Sequence, residues 1–202
     1  MQANAGVELL LWAARRYHAG QSARPANRGM GTQAMEILFR AIASIALLRQ
    51  GPQILPVSSL LLSLVLVMHW GIGVVLGLFS LPPGLALLSA LVGTLIMVAL
   101  VHGLLLLHRR HSRVTQTLTA LAGCEVLLGL LALPLTALFL AGGGMAELAA
   151  LLSLLLLGWN IAVAAHIFRH ALGVSMGMGV LFAIGYTMIS ISLSSFIGPV
   201  DG

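Results

Sequence analysis

Between residues 57 and 197 the chain carries five apolar runs, at 57–79, 85–107, 118–140, 147–168 and 174–197. Each has 22 to 24 residues, and a helix of that length crosses a hydrocarbon core of about 30 Å. The strands of a transmembrane barrel would instead show about ten residues of strict alternation, which these runs lack. Composition points to the same solvent. Hydrophobic residues make up 59% of the 202 and charged residues only 7%, against about 25% charged in a soluble domain. Too few polar groups remain to cover a water-exposed surface. The expected fold is therefore an all-α membrane protein, a five-transmembrane-helix bundle. Uncharged turns, 80–84 and 141–144, join the first run to the second and the third to the fourth.

The second and third runs are separated by a basic island, His108-Arg109-Arg110-His111-Ser112-Arg113. All ten basic residues are arginine, and the formal net charge is +5. Cytoplasmic loops carry the excess of basic residues in membrane proteins. A cytoplasmic island places the N-terminal segment and Arg169 on the same side, because two spans separate each from it. Glu147 and Asp201 then fall outside. The expected topology is multi-pass, with the N-terminus cytoplasmic and the C-terminus outside. A lysine-free composition rich in Leu, Ala and Gly suggests a GC-rich genome, and hence a bacterial cytoplasmic (inner) membrane. Arginines beside apolar runs are accounted for by topology and anionic headgroups, so the charge does not point to nucleic acid. Arg109, Arg110 and Arg113 form a candidate cytoplasmic basic surface for anionic lipid headgroups or a cytoplasmic protein.

Residues 1–34 differ from the rest. They are small and polar, broken by Pro25 and several glycines. The patch Val7 to Ala14 is too short to span. Arg15 and Arg16 come after it rather than before it, which is not the order of a secretory signal. Two readings stand: a flexible N-terminal cytoplasmic tail, or an extension upstream of a translation start at Met35. The membrane domain is read as 35–202. In its first segment, 35–50, Glu36, Arg40 and Ser44 share one helical face, while Ile37, Leu38, Ala41, Ile42, Ile45 and Leu48 cover much of the remainder. This predicts a short amphipathic interfacial helix on the cytoplasmic leaflet, or a helix packed under the bundle. Gly51-Pro52 stops it.

Ionisable groups inside spans are rare and usually face the bundle interior or a cavity. Glu125 is the eighth residue of the third run, Asn160 lies nine residues before Arg169, and His102 lies six before His108. On that count Glu125, Asn160 and His102 form a candidate intramembrane polar cluster at one level. It would serve as a proton or cation relay with Glu125 as carrier, or as structural glue around a protonated Glu125. His69 sits near the centre of the first run, and His166 and His170 stand at i, i+4 in the fourth. Such histidines can ligate haem or a metal. No cysteine or carboxylate accompanies the pair, and arginines surround it, so no cofactor or metal is expected.

Ser175, Gly179, Ala183, Tyr186, Ser190 and Ser194 share one face of the fifth run. With Gly73-x-x-x-Gly77 and Gly158-x-x-x-Ala162 they read as packing surfaces. These could lie within one chain or between copies, which leaves a homo-oligomer open. Pro134 predicts a kink in the third run. Cys124 is the one cysteine, so no intrachain disulfide forms. Walker A, H-E-x-x-H and G-x-S-x-G motifs are absent from the sequence, and no enzymatic activity is expected.

The phrases ALLRQGPQILPVSS before the first run, QTLTALAGCEVLLGLLALPL in the third and WNIAVAAHIFRHALG in the fourth resemble bacterial members of the Yip family of small integral membrane proteins. The resemblance covers most of residues 38–197 and implies a five-helix membrane bundle. It brings no catalytic motif. The expected role is that of a non-enzymatic structural or interaction component of the membrane. The alternatives are a small transporter or proton-coupled permease using Glu125, and a haem-binding membrane cytochrome using His102 with His69 or His166.

Overall fold

The computed structural model describes the backbone of residues 28–195 and the side-chain surroundings of residues 36–192. Most of the tail expected over 1–34, the end of the fifth apolar run with the side chain of Ser194, and Asp201 lie outside the described residues. Contacts divide the chain into two units, Met1–Ile37 and Leu38–Gly202. The described part of the first is the start of helix α1, Arg28–Ala46. The helical bundle belongs to the second.

Regular structure among the described residues is helical. After α1 come α2 (Ser59–Gly77), α3 (Pro83–Leu107), α4 (Val114–Ala141), α5 (Gly144–Leu172) and α6 (Met176–Ser195). Local chemistry sets the boundaries. The Ser58 Oγ accepts the Leu61 N–H at 3.2 Å and so satisfies one orphan donor of the first turn of α2. Pro82 and Pro83 open α3, where a missing N–H removes no helical bond. Gly173, at φ 72°, ends α5 in the left-handed region that favours glycine, and its N–H donates to the Arg169 carbonyl at 2.9 Å. Helix α4 continues through Pro134 to Ala141. The proline leaves the Leu130 carbonyl without its usual helical donor.

Four helical stretches are long and apolar enough to cross a membrane: Ser59–Gly77, Pro83–Leu107, His111–Ala141 and Gly144–Leu172. They correspond to the first four apolar runs. The fifth run holds α6, a helix of 20 residues whose searched part, Met176–Ser192, is shorter than these.

The helices close into a ring. Helix α2 packs on α3 and α4, α4 on α5, α5 on α6, and α6 on α3. Small residues set the approach distances. A Cβ added to Gly73 would lie 3.2 Å from the Cβ of Ala90, and one on Gly77 3.2 Å from that of Ala86. Gly73-x-x-x-Gly77 is thus a seam between α2 and α3 of one chain. The α5–α6 seam is tighter: a Cβ on Gly179 would stand 2.6 Å from the Ala165 carbonyl oxygen. Gly158 differs, since a Cβ there meets nothing within 4 Å.

The densest packing lies at the end that carries the basic island. Ile45, Leu55, Leu105, Leu121 and Phe168 are fully buried there. Side chains reach across to backbone carbonyls around them. Trp159 Nε1 donates to Ala46 at 3.0 Å, Gln116 Nε2 to Leu55 at 2.8 Å, and His166 Nε2 to Gln50 at 3.1 Å. Ile42, Ile45 and Ala46 of α1 are buried, and Ile42 lies over Gly123 of α4. Of the two arrangements expected for 35–50, this part of the helix adopts the packed one. The helix also ends at Ala46, four residues before the expected boundary.

Overpacking a close backbone approach costs about 1–3 kcal/mol. Gly179→Ala should therefore lower the thermal unfolding midpoint in detergent, whereas Gly158→Ala should not lower it and should raise it slightly, since alanine favours a helix interior with open space beside it. Intrinsic tryptophan fluorescence on heating provides the check.

Candidate functional site

Three polar side chains stand at nearly the same depth in three helices. Counted from the end that bears the island, His69 is the eleventh residue of α2, Glu125 the twelfth of α4 and Tyr186 the eleventh of α6. At 1.5 Å per residue, all three lie about 15–17 Å in. They meet. Glu125 Oε2 is 2.7 Å from His69 Nε2, and Oε1 accepts the Tyr186 hydroxyl at 2.8 Å. His69 Nδ1 lies 3.1 Å from Thr94 Oγ1. The resulting chain, Thr94–His69–Glu125–Tyr186, ties together α3, α2, α4 and α6.

The Thr94 hydroxyl is also 2.9 Å from the Ala90 carbonyl, so it either donates there and accepts from His69 Nδ1–H, or donates to a bare Nδ1. In each arrangement one proton lies in the 2.7 Å link between His69 Nε2 and the Glu125 carboxyl, on the imidazole or on the acid. Tyr186 donates to the other oxygen in either case. The group is not sealed from its surroundings, since the His69 and Glu125 side chains keep 19% and 15% of their surface exposed.

Glu125 also lines an open groove of about 360 Å³ between α4 and α5, bordered by Leu76 of α2 and by Leu128, Leu156 and Leu157. Gly129, Ala132 and Thr136 continue its wall along α4, and Asn160 and Ser153 face them from α5. Thr136 donates to Ala132 at 3.0 Å and Ser153 to Ala149 at 2.8 Å. These bonds use the hydroxyl protons and leave oxygen lone pairs available. Asn160 is half-buried and makes no hydrogen bond among the described residues.

The structure thus brings Glu125 and Asn160 to one groove, as the sequence suggests, and leaves His102 out. His102 is exposed and lies eight residues from Thr94 along α3, or about 12 Å nearer the island. Its expected place is taken by His69 and Tyr186. The signal that finds them is depth measured from the helix starts.

Both ring nitrogens of His69 are engaged, and His166 Nε2 is held by Gln50. The His166 and His170 rings stand edge to face at 4.5 Å. Among the described residues no group of three or more His, Cys, Asp and Glu could hold a metal ion. At the island, Arg109 and Arg110 are exposed. Arg113 is half-buried and donates to the His170 and Ala171 carbonyls at 2.9 and 3.3 Å, a cationic cap on the C-terminus of α5. It is therefore partly withdrawn from the candidate basic surface.

Comparison with family models, curated proteins and solved structures finds no match.

Removing one partner of a desolvated pair leaves the other uncompensated, whereas replacing both with apolar groups is much less costly. His69→Leu alone should destabilise the protein by about 2 kcal/mol, less than the loss at a fully sealed pair because both groups are partly exposed. The double variant His69→Leu/Glu125→Leu should recover most of that loss. Thermal unfolding of the four proteins of the cycle measures the coupling.

Proposed function

We propose that this protein is a small, non-enzymatic integral membrane permease coupled to protons, with Glu125 as the proton-carrying group. The observation that supports this reading is the 2.7 Å contact between Glu125 and His69. An ionisable pair is expensive inside a bilayer and marks proton relays and ion pathways. The link between them holds one shared proton; with Nδ1 protonated, passing that proton to water leaves a neutral imidazole beside a carboxylate, and a proton taken back from water restores the link, with little rearrangement of the helices. The groove beside it gives the carboxyl a route to solvent that a purely structural hydrogen-bonded cluster would not require.

The membrane placement belongs to the same proposal. Helix α6 is taken as a fifth span, since its 20 residues reach about 30 Å. The positive-inside bias of the island supports a cytoplasmic N-terminus and an outer C-terminus in a bacterial inner membrane. The Yip-like phrases support the same five-helix bundle. The exposed Arg109 and Arg110 favour contact between the island and anionic headgroups. On this reading the interaction surface anchors and orients the permease.

Reconstituted into liposomes with an internal pH dye, the protein should carry protons down an imposed gradient, and Glu125→Gln should reduce the flux at least tenfold. Equal flux through Glu125→Gln, or none above empty liposomes from the wild-type protein across a panel of small solutes, would remove this reading. Reporter fusions after Leu107 and after Ala141 should report opposite sides of the membrane.

A further inference from the structure

The groove next to Glu125 is asymmetric along the bundle. Toward the island, the neighbours of Glu125 are closed off. Leu118, Leu121 and Cys124 on α4 are each no more than 3% exposed, as are Val163, Ile167 and Phe168 on α5. Away from the island the packing opens. The groove runs along α4 from Glu125 through Gly129 and Ala132 to Thr136, eleven residues and about 16 Å of helix. Thr136 is five residues short of Ala141, the last residue of α4. On α5 it runs from Asn160 back to Ser153, toward the same Gly142–Gly144 turn.

Polar atoms occur at both ends of this path. Glu125 and Asn160 stand at the inner end, and Thr136 and Ser153 stand near the outer end. The Asn160 carboxamide has no protein partner among the described residues. An unmet amide against lipid tails would cost several kcal/mol, and water removes that cost. The groove, about 360 Å³, is roomy enough to admit water.

We infer that the space between α4 and α5 is a one-sided, water-filled path by which protons reach Glu125 from the membrane face opposite the basic island. This inference rests on the reading of Glu125 as a proton site and adds the side from which it is loaded. The tight packing from Leu118 to Cys124 is the closed gate on the other side.

Cysteine accessibility in membranes tests the path without measuring transport. In a Cys124→Ala background, Ala132→Cys and Ser153→Cys report the path. Leu131→Cys is the control, being adjacent to Ala132 and 59% exposed on the apolar surface of the helix. Arg109→Cys marks the island side. A charged, membrane-impermeant methanethiosulfonate is applied separately to spheroplasts and to inside-out vesicles. The expected result is labelling of Ala132→Cys and Ser153→Cys from the face opposite to Arg109→Cys, at least tenfold faster than Leu131→Cys. Labelling from the island face, or Ala132→Cys no faster than Leu131→Cys, would overturn the path. A lipid-filled groove gives that second outcome. If a path variant does not reach the membrane, Thr136→Cys, on the same wall, replaces it. Labelling as expected together with flux unchanged by Glu125→Gln would leave the water path standing and remove the proton-carrier reading. Loss of flux without labelling would do the reverse.

Discussion

The Glu125 carboxyl and the His69 imidazole, 2.7 Å apart within the membrane-spanning helices, constrain the rest of the bundle. Neither group is at home in hydrocarbon. Each makes the other tolerable only if their helices stay in register, because a slip of one residue moves a side chain by 1.5 Å along the axis and 100° around it. Tyr186 and Thr94 extend the requirement to two further helices. Four of the five ring helices are therefore indexed to one another by a single polar chain. Apolar packing among leucines would supply attraction without register, since lipid tails are as apolar as leucine.

The small-residue seams do complementary work. Gly73 and Gly77 bring α2 close to Ala86 and Ala90 of α3, and Gly179 brings α6 against the Ala165 carbonyl. These contacts set interhelical distance, whereas the polar chain sets rotation and height. The island end adds a third device. Trp159, His166, Gln116 and Arg113 each donate to a carbonyl that the end of a helix or a turn leaves unpaired. Backbone that would otherwise need water is satisfied by side chains from the bundle itself. That is how the segment 38–55 packs against the bundle rather than lying on the leaflet.

Much of this is legible in the sequence. Run length and the uncharged turns locate the four long helices, because the demand for about 20 apolar residues per crossing leaves little freedom. The polar site is legible only in part, and the cause is specific. Hydropathy starts the third run at Leu118, but α4 begins at Val114. Thr115, Gln116 and Thr117 look like loop residues. In the fold Thr117 donates to the Arg113 carbonyl and Gln116 to Leu55, so they are helical and paired. Omitting residues 114–117 places Glu125 too near the island end and matches it with His102. Counted from Val114, it falls level with His69 and Tyr186. Hydropathy locates the apolar part of a span but not the polar turn that precedes it, and depth is measured from the helix and not from the hydropathy.

The two halves of the bundle have unlike packing, and that difference bears on what the polar chain can do. A carboxyl sealed on both sides would be fixed in one protonation state by desolvation, and it would be structural glue. One open on both sides would leak. Here the wall toward the island is built of Leu118, Leu121, Ile167 and Phe168, while the wall away from it includes Gly129, Ala132 and an Asn160 without a partner among the described residues. The small residues make room and the amide requires a polar occupant. Pro134 lies between Ala132 and Thr136 and removes one helical bond from that same wall. The open half is thus also the half in which α4 is least constrained by its own backbone. The Glu125 contacts lie on the island side of Gly129, so on the proposed function a movement of α4 against α5 beyond that residue leaves the polar chain intact.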